Sequence, residues 1–392
     1  MLAIAIIVLA LAVLPCSAQP YVARTLEADT VATVVYRRAP RFNGAMQDLN
    51  MRIWRPVEMP LQRRPLVVQI HGGGFIDGNY LEMSPFCLNW ARRGYVAATV
   101  QYRLGAVGSP LLDPPYVYDP HETVRGAWRA VQDVRHAIRY LFANADTYGI
   151  DTTTYIVLGM SAGGITALHH AIRDPLDTIP NSVFALSDAE RLAGRVQRPS
   201  IFEPTDTAAF PLPCAVVNYF GGIIHTDALA GAPLPHLFSY HQTGDVVVNC
   251  GAARGLWSVP LPGVSDNWAV IHGTCAIRNL LAQRNVPADR QQYIIHEGIG
   301  HELHNPQLVD SLAAQFCARC IQPSTSVDTA VESDVSAPWQ LLTVLGQVLE
   351  RGIGTRAEAE AAALRYRQYR QCLLVHSKNL YQSVDGIVIR AK

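Results

Sequence analysis

Charge is scarce in this chain. Charged residues make up 16% of its 392 positions, the 32 basic and 32 acidic side chains cancel, and only two lysines occur, Lys378 and Lys392. There is no basic stripe and no acidic tail, which argues against nucleic acid or a charged membrane surface as the main partner. Zinc-type cysteine spacing is also missing. Cys317-Ala-Arg-Cys320 is a lone CxxC with no second pair and no nearby histidine, which argues against a zinc site. No internal repeat is present. What the chain does have is apolar bulk: 49% hydrophobic residues, enough for a substantial core and too many for wholesale disorder.

The one long apolar run is residues 2–14, which is too short to span a bilayer comfortably. It is followed by Pro15-Cys16-Ser17-Ala18. Small residues at Cys16 and Ala18 suit a secretory signal cleaved after Ala18, although no Lys or Arg precedes the apolar run. A lipid anchor at Cys16 and a retained membrane anchor are the alternatives. The expectation is a protein that is secreted, periplasmic or on the cell surface, with no stable membrane span once the signal is removed. Seven cysteines would then remain, Cys87, Cys214, Cys250, Cys275, Cys317, Cys320 and Cys372. In an exported protein these can oxidise, and an odd number leaves at least one free or paired between molecules.

Along the chain, strand-like and helix-like stretches alternate. Val31 to Tyr36 and Leu49 to Trp54 are β-rich and flank the turn-prone Asn43-Gly44, so they predict an antiparallel pair at a sheet edge. Leu66 to Ile70 and Tyr95 to Val100 read as buried strands, with Leu81 to Arg93 helical between them. Residues 105–121 read as a long loop. Glu122 to Tyr148 has the helical period, and Tyr155 to Leu158 is a strand. Residues 175–213 have no clear period and carry Pro175, Pro180, Pro199 and Pro204. A stretch of this length is more often functional than passive, and it is expected to cap a pocket or to pack on the body. Cys214 to Tyr219, His236 to His241 and Gln291 to His296 are further strands, and Trp268 to Arg284 and Gln307 to Arg319 are helices. The pattern predicts an α/β fold, a mostly parallel central sheet flanked by helices, over residues 19–321. Residues 322–337 read as a linker. Residues 338–392 form a small C-terminal module or extension, with strand-like stretches around a helical one at Arg356 to Arg370.

The chemistry centres on Gly159-Met160-Ser161-Ala162-Gly163. Small residues two before and two after a serine, between a strand and a helix, fit a sharp turn that exposes the Ser161 hydroxyl as a nucleophile. His71-Gly72-Gly73-Gly74-Phe75 follows a strand, and its glycines leave backbone N–H groups open to a ligand. Gly73 and Gly74, with the N–H of Ala162, are the candidate oxyanion donors, and His71 is assigned to bracing the loop. The acid should follow a later strand: Asp245 is favoured and Asp227 is the rival. The base should follow the last strand. His301, beside Gly298 and Gly300, is favoured over His296 and His304. A serine, an acid and a histidine in that order fit acyl transfer.

The segments His71 to Phe75, Tyr102-Arg103-Leu104, Val131 to Arg135, Gly159 to Gly164, His241 to Val247 and Gly298 to His301 together resemble α/β-hydrolase-fold carboxylesterases. The similarity is to the hormone-sensitive-lipase-like and the secreted bacterial feruloyl- and acetylesterase-like branches, over about residues 30–320. It implies hydrolysis of small-molecule or polysaccharide-linked esters without metal or organic cofactor. Peptidase or amidase chemistry, or an inactive binding module, are the other readings. Gln242 and Val246 depart from the pattern, where these families more often have Gly and Pro near the acid. The same resemblance brings the segments of Cys250 and Cys275 close and implies a disulfide between them. The tail from about residue 335 faintly resembles the C-terminal sorting domains of some Gram-negative secreted proteins.

Overall fold

A computed structural model describes residues 20–57, 63–106, 120–172, 183, 211–229, 234–258, 264–321, 337–343, 348–354, 372–376, 383–384 and 387–389. The expected signal and cleavage site, the helical stretch at 356–370 and nearly all of the 175–213 excursion lie outside these residues. The chain divides into two compact units, residues 1–323 and 324–392.

The first unit is built on an eight-stranded sheet. Its strands are β1 (Ala28–Pro40), β2 (Met46–Pro56), β3 (Arg64–Ile70), β4 (Val96–Val100), β5 (Ile150–Met160), β6 (Ala215–Tyr219), β8 (His236–Gln242) and β11 (Gln291–His296). Their spatial order is β1-β2-β4-β3-β5-β6-β8-β11. β1 and β2 form an antiparallel hairpin at one edge, and β2 is antiparallel to β4. From β4 to β11 every neighbour is parallel. The topology therefore reverses beside β3 and β5, whose C-terminal ends open the two glycine-rich turns.

Strand periodicity divides the apolar residues between two cores. Leu66, Val68 and Ile70 of β3 and Tyr155 and Val157 of β5 face one way. They pack with helices α2 (Pro120–Ala143), α3 (Ala145–Tyr148), α4 (Ala162–Ala171) and α5 (Thr274–Gln283), through Val134, Ile138, Tyr148, Leu168 and Ile277. Val67, Ile156 and Leu158 face the other way, towards α1 (Ser84–Ala91) and α6 (Pro306–Ile321), through Trp90, Ala313 and Phe316. A strand sandwiched like this is apolar at successive positions, which is why it reads as a continuous hydrophobic run.

One expectation fails. Trp268 to Arg284 is not a continuous helix: β10 (Val270–Gly273) precedes α5 and joins β7 (Gly222–Ile223) and β9 (Ala252–Arg254) in a small antiparallel sheet, β7-β10-β9. Gly273 decides the break. Its N–H donates to Gly251 O at 2.7 Å, and a Cβ there would lie 2.1 Å from Asn249 O. Local pairing against the 249–254 segment overrides the helical pattern of the apolar residues before it. The disulfide Cys250–Cys275 fastens the same two segments.

Buried charge ties the hairpin edge to the helical layer. The Asp133 carboxylate, on α2, accepts from Arg103 Nε at 2.8 Å, Arg103 N at 2.9 Å and Arg37 Nη1, on β1, at 2.9 Å. Arg103 and Asp133 have fully buried side chains.

The second unit contains a five-stranded sheet, β13-β12-β14-β16-β15, made of β12 (Ala337–Thr343), β13 (Val348–Gly354), β14 (Cys372–His376), β15 (Ser383–Val384) and β16 (Ile387–Ile389). β14 and β16 are parallel and the other pairs antiparallel. Ala337, expected to end the linker, is the first residue of β12. Among the described residues no helix is long and apolar enough to cross a membrane.

Replacing Asp133 by Ala would leave the Arg103 guanidinium buried without its counter-charge, which typically costs about 3–5 kcal/mol. Urea unfolding of Asp133→Ala should show a loss of that order, and a loss under about 1 kcal/mol would contradict the assigned role.

Candidate active site

Ser161 sits at the junction of β5 and α4 with φ 54° and ψ −121°, a strained conformation for a residue with a side chain. Its N–H donates to Tyr219 O at 2.9 Å. The turn exists only because its neighbours lack side chains. A Cβ on Gly159 would lie 2.0 Å from Gly163 O, and one on Gly163 would lie 2.1 Å from Ile70 O.

His301 Nε2 lies 2.7 Å from Ser161 Oγ, and His301 Nδ1 lies 2.8 Å from Asp245 Oδ2. With Nδ1–H donating to the carboxylate, Nε2 is left to accept from the serine hydroxyl. The three favoured residues therefore meet in one hydrogen-bonded line. His296 and His304 do not take the place of His301. Their rings stack on one another at 3.8 Å, and His304 N donates to Tyr240 Oη at 3.0 Å. The rival acid, Asp227, lies in the 3₁₀ turn Thr226–Leu229, and it is Asp245 that His301 meets.

Asp245 has a fully buried side chain. Burial alone would raise its pKa. Hydrogen bonds from His241 and His301, the charge of His301 and the Val247 N–H outweigh that and lower it to about 2. Its Oδ1 accepts from Val247 N at 2.8 Å and Val248 N at 3.0 Å.

His241, near the end of β8, opens the His241 to Val247 segment that carries part of the resemblance. Its Nε2 lies 2.8 Å from Val248 O and 3.4 Å from Asp245 Oδ2, so this nitrogen carries the proton. Nδ1 then accepts from Thr274 Oγ1 at 3.1 Å. Thr274 in turn meets Ser239 Oγ at 2.7 Å, and Asn218 Nδ2 donates to Ser239 Oγ at 2.8 Å. This buried polar line runs from the acid back to the elbow, where Asn218 Oδ1 accepts from Gly221 N at 3.0 Å.

Gln242, a departure from the family pattern, clasps the loop that carries His301. Its Oε1 accepts from Gly300 N at 2.9 Å, and its Nε2 donates to Glu302 O at 2.9 Å. A Cβ on Gly298 would lie 2.2 Å from Gln242 Oε1, so that glycine makes room for the amide. Thr243 N to His296 O at 2.9 Å and Gly244 N to Gly298 O at 2.7 Å complete the seam between the two loops. Phe220, with φ 43°, lays its ring 4.8 Å from that of His301. Nothing in the residue pattern singles out Phe220, and His241 stands there only as the first residue of a matching segment, with no role of its own. Gln242 was marked, but as an exception.

The glycine loop lies over the serine. A Cβ on Gly72 would lie 3.3 Å from Ser161 Cβ. Gly73 has φ 102° and Gly74 φ 59°, and both line a cavity of about 530 Å³ with Ser161, Ala162 and His301. Ala162 opens α4, so its N–H has no partner within the helix. His71 braces this loop. Its Nδ1 donates to Gly72 O at 2.8 Å, and its Nε2 meets Gln101 Nε2 at 3.1 Å. Its ring stacks on Tyr102 at 4.3 Å. Burial lowers its pKa to about 4, which keeps it neutral.

The strand order, with a serine elbow after β5, an acid loop after β8 and a histidine loop after β11, decides the fold family. This chain has the α/β-hydrolase fold. Residues 116–197 match the family described as BD-FAE. The chain is similar to Gut esterase 1 of Caenorhabditis elegans, 25% identical over 46% of this chain and 31% of that protein. It is also similar to Esterase LipC of Mycobacterium tuberculosis, 32% identical over 33% of this chain and 28% of that protein. The matches thus span about a third of those relatives' own length or less. Among solved structures, Thermogutta terrifontis esterase 2 phosphonylated by cyclosarin aligns with a TM-score of 0.46 and 19% identity, over 73% of this chain and 92% of that one.

The low pKa of Asp245 bears on stability. Its carboxylate is ionised in the folded protein down to about 2 and in an unfolded chain down to about 3.9. The stabilisation this supplies, on the order of 2 kcal/mol, is present above about pH 4 and is lost as the pH falls towards 2. Urea unfolding of wild type and Asp245→Asn should therefore show a gap of that order at pH 7 that narrows below pH 4. A gap independent of pH would contradict the assignment.

Proposed function

We propose that this protein is a serine carboxylesterase in which Ser161, His301 and Asp245 act as nucleophile, base and orienting acid. One observation carries the reading: the unbroken line Ser161 Oγ, His301 Nε2, His301 Nδ1, Asp245 Oδ2, at 2.7 and 2.8 Å, at the wall of a ligand-sized cavity. The names of the curated relatives, esterases and carboxylesterases, support the same class.

In this mechanism the ester carbonyl enters beside Ser161. His301 Nε2 takes the hydroxyl proton as Oγ bonds to the carbonyl carbon. Negative charge then develops on the carbonyl oxygen, facing the N–H groups of Gly73, Gly74 and Ala162. The tetrahedral adduct collapses, the alkoxide leaves with the proton from His301, and an acyl group remains on Ser161. Water repeats the sequence with the same proton shuttle and frees the acid. Asp245, held ionised, keeps Nδ1 protonated and stabilises the imidazolium.

The cavity wall is apolar, with Phe75, Ile76, Ile165, Leu256, Trp268 and Ile271, and it suits a short or aromatic acyl group. The substrates proposed are small acyl or hydroxycinnamoyl esters, free or polysaccharide-linked, met outside the cytoplasm by a secreted, periplasmic or surface-bound enzyme.

A panel of p-nitrophenyl and hydroxycinnamoyl esters tests this reading. Wild type should hydrolyse them and Ser161→Ala should not, while a fluorophosphonate probe should label Ser161 alone. Asp245→Asn should lower kcat on the order of 10⁴-fold, the loss found for the equivalent change in a serine protease. Labelling at another residue, or full turnover by Ser161→Ala, would refute the mechanism.

The pH profile is a separate test. Because Asp245 stays ionised down to about 2, it adds no ionisation of its own to the profile above pH 4. The kcat/KM should rise with pH through one ionisation of unit slope. Two ionisations on that limb would contradict the assigned state of Asp245.

A further inference from the structure

The lone CxxC has no part in the proposed chemistry, yet the fold gives it a third cysteine. Cys214 immediately precedes β6, and Cys317 and Cys320 lie near the end of α6. Cys320 Sγ lies 3.1 Å from Cys214 Sγ, across 106 residues of chain, and 3.0 Å from Cys317 O. A disulfide needs 2.03–2.05 Å, so the two sulfurs stand roughly 1 Å beyond bonding distance. Cys214 and Cys320 are half-buried and reachable, whereas Cys317 is fully buried.

The backbone around Cys214 is already fixed. Cys214 N donates to Tyr155 O at 2.8 Å, and Cys214 O accepts from His236 N at 3.0 Å. The partner that must move is Cys320, in the last turn of its helix, where the chain leaves the first unit. The hydrolase already carries one disulfide, Cys250–Cys275, so conditions that keep that bond oxidised also oppose two free thiols in contact.

We propose that Cys214 and Cys320 form a second disulfide, closed by thiol–disulfide exchange with a low-molecular-weight disulfide such as oxidised glutathione. One thiolate attacks a sulfur of the small disulfide, giving a mixed disulfide and releasing one small thiol. The other thiolate attacks the protein-bound sulfur, and the second small thiol leaves. Two protein thiols are oxidised, one small disulfide is reduced, and the two thiol protons pass to the departing thiols. The product ties the start of β6, where the chain re-enters the sheet after residues 173–210, to the helix end just before the second unit. Cys317 is left as a thiol.

The test uses the full-length protein without reductant. It is incubated with oxidised glutathione, free thiols are blocked by alkylation, and it is digested under acidic, non-reducing conditions for mass spectrometry. The expected result is a linked pair of peptides bearing Cys214 and Cys320, with two fewer alkylated thiols than in untreated protein. Cys214→Ser and Cys320→Ser should each abolish the link while keeping Cys250–Cys275. Alkylation of both Cys214 and Cys320 after treatment would overturn the proposal. So would a Cys317–Cys320 link, or glutathione retained on either residue.

Discussion

Crowding of backbone at the serine turn sets the layout of the whole site. Gly159 and Gly163 let β5 and α4 approach until the carbonyl of Gly163 fills the place of a side chain on Gly159. Gly163 in turn lies against the carbonyl of Ile70, at the end of β3. Two strands and a helix thereby converge on one point, and the glycine loop after β3 has nowhere to go but across Ser161. The strained backbone of Ser161 persists because its surroundings over-determine it. The distance between nucleophile and candidate oxyanion donors follows from packing and not from any contact the serine side chain makes.

The placement of Asp245 and His301 depends on a second constraint, the seam between the loops after β8 and β11. These strands are parallel neighbours, so their C-terminal ends bring the two loops side by side. Backbone bonds from Thr243 and Gly244, and the Gln242 amide, join them. Beneath the seam, His241, Thr274, Ser239 and Asn218 link the carboxylate to the elbow through the interior. A buried polar line of this kind is stable only if every member is partnered, and here each hydroxyl and ring nitrogen finds its neighbour. The Cys250–Cys275 bridge fastens the segment after the acid loop to the start of α5, the helix that supplies Thr274.

Most of this was legible from residue pattern because the main devices are local. A glycine two before and two after a serine is a steric requirement, and steric requirements show in sequence. Strands buried on both faces show as apolar runs, and the alternation with helices gave the parallel sheet. What stayed hidden depends on partners far along the chain. Trp268 to Gly273 has helical spacing, and only pairing with the 222–223 and 252–254 segments makes part of it a strand. His241 looks like any strand residue until Asp245 turns back towards it. Phe220 meets His301 only through the fold. The closeness of Cys214 to Cys320 likewise needs β6 and α6 to be placed in three dimensions.

The Gln242 clasp also separates two properties that a charged clasp would couple. An amide has no proton to gain or lose in the range where imidazoles titrate. Its hold on Gly300 and Glu302 is therefore the same whether His301 is neutral or cationic. Protonation changes what the imidazole can do without changing where it stands. A carboxylate at position 242 would instead bring a second negative charge close to Asp245 and make the attachment of the loop itself depend on acidity and salt. The uncharged side chain thus gives the proposed base, His301, a mount that does not itself gain or lose charge.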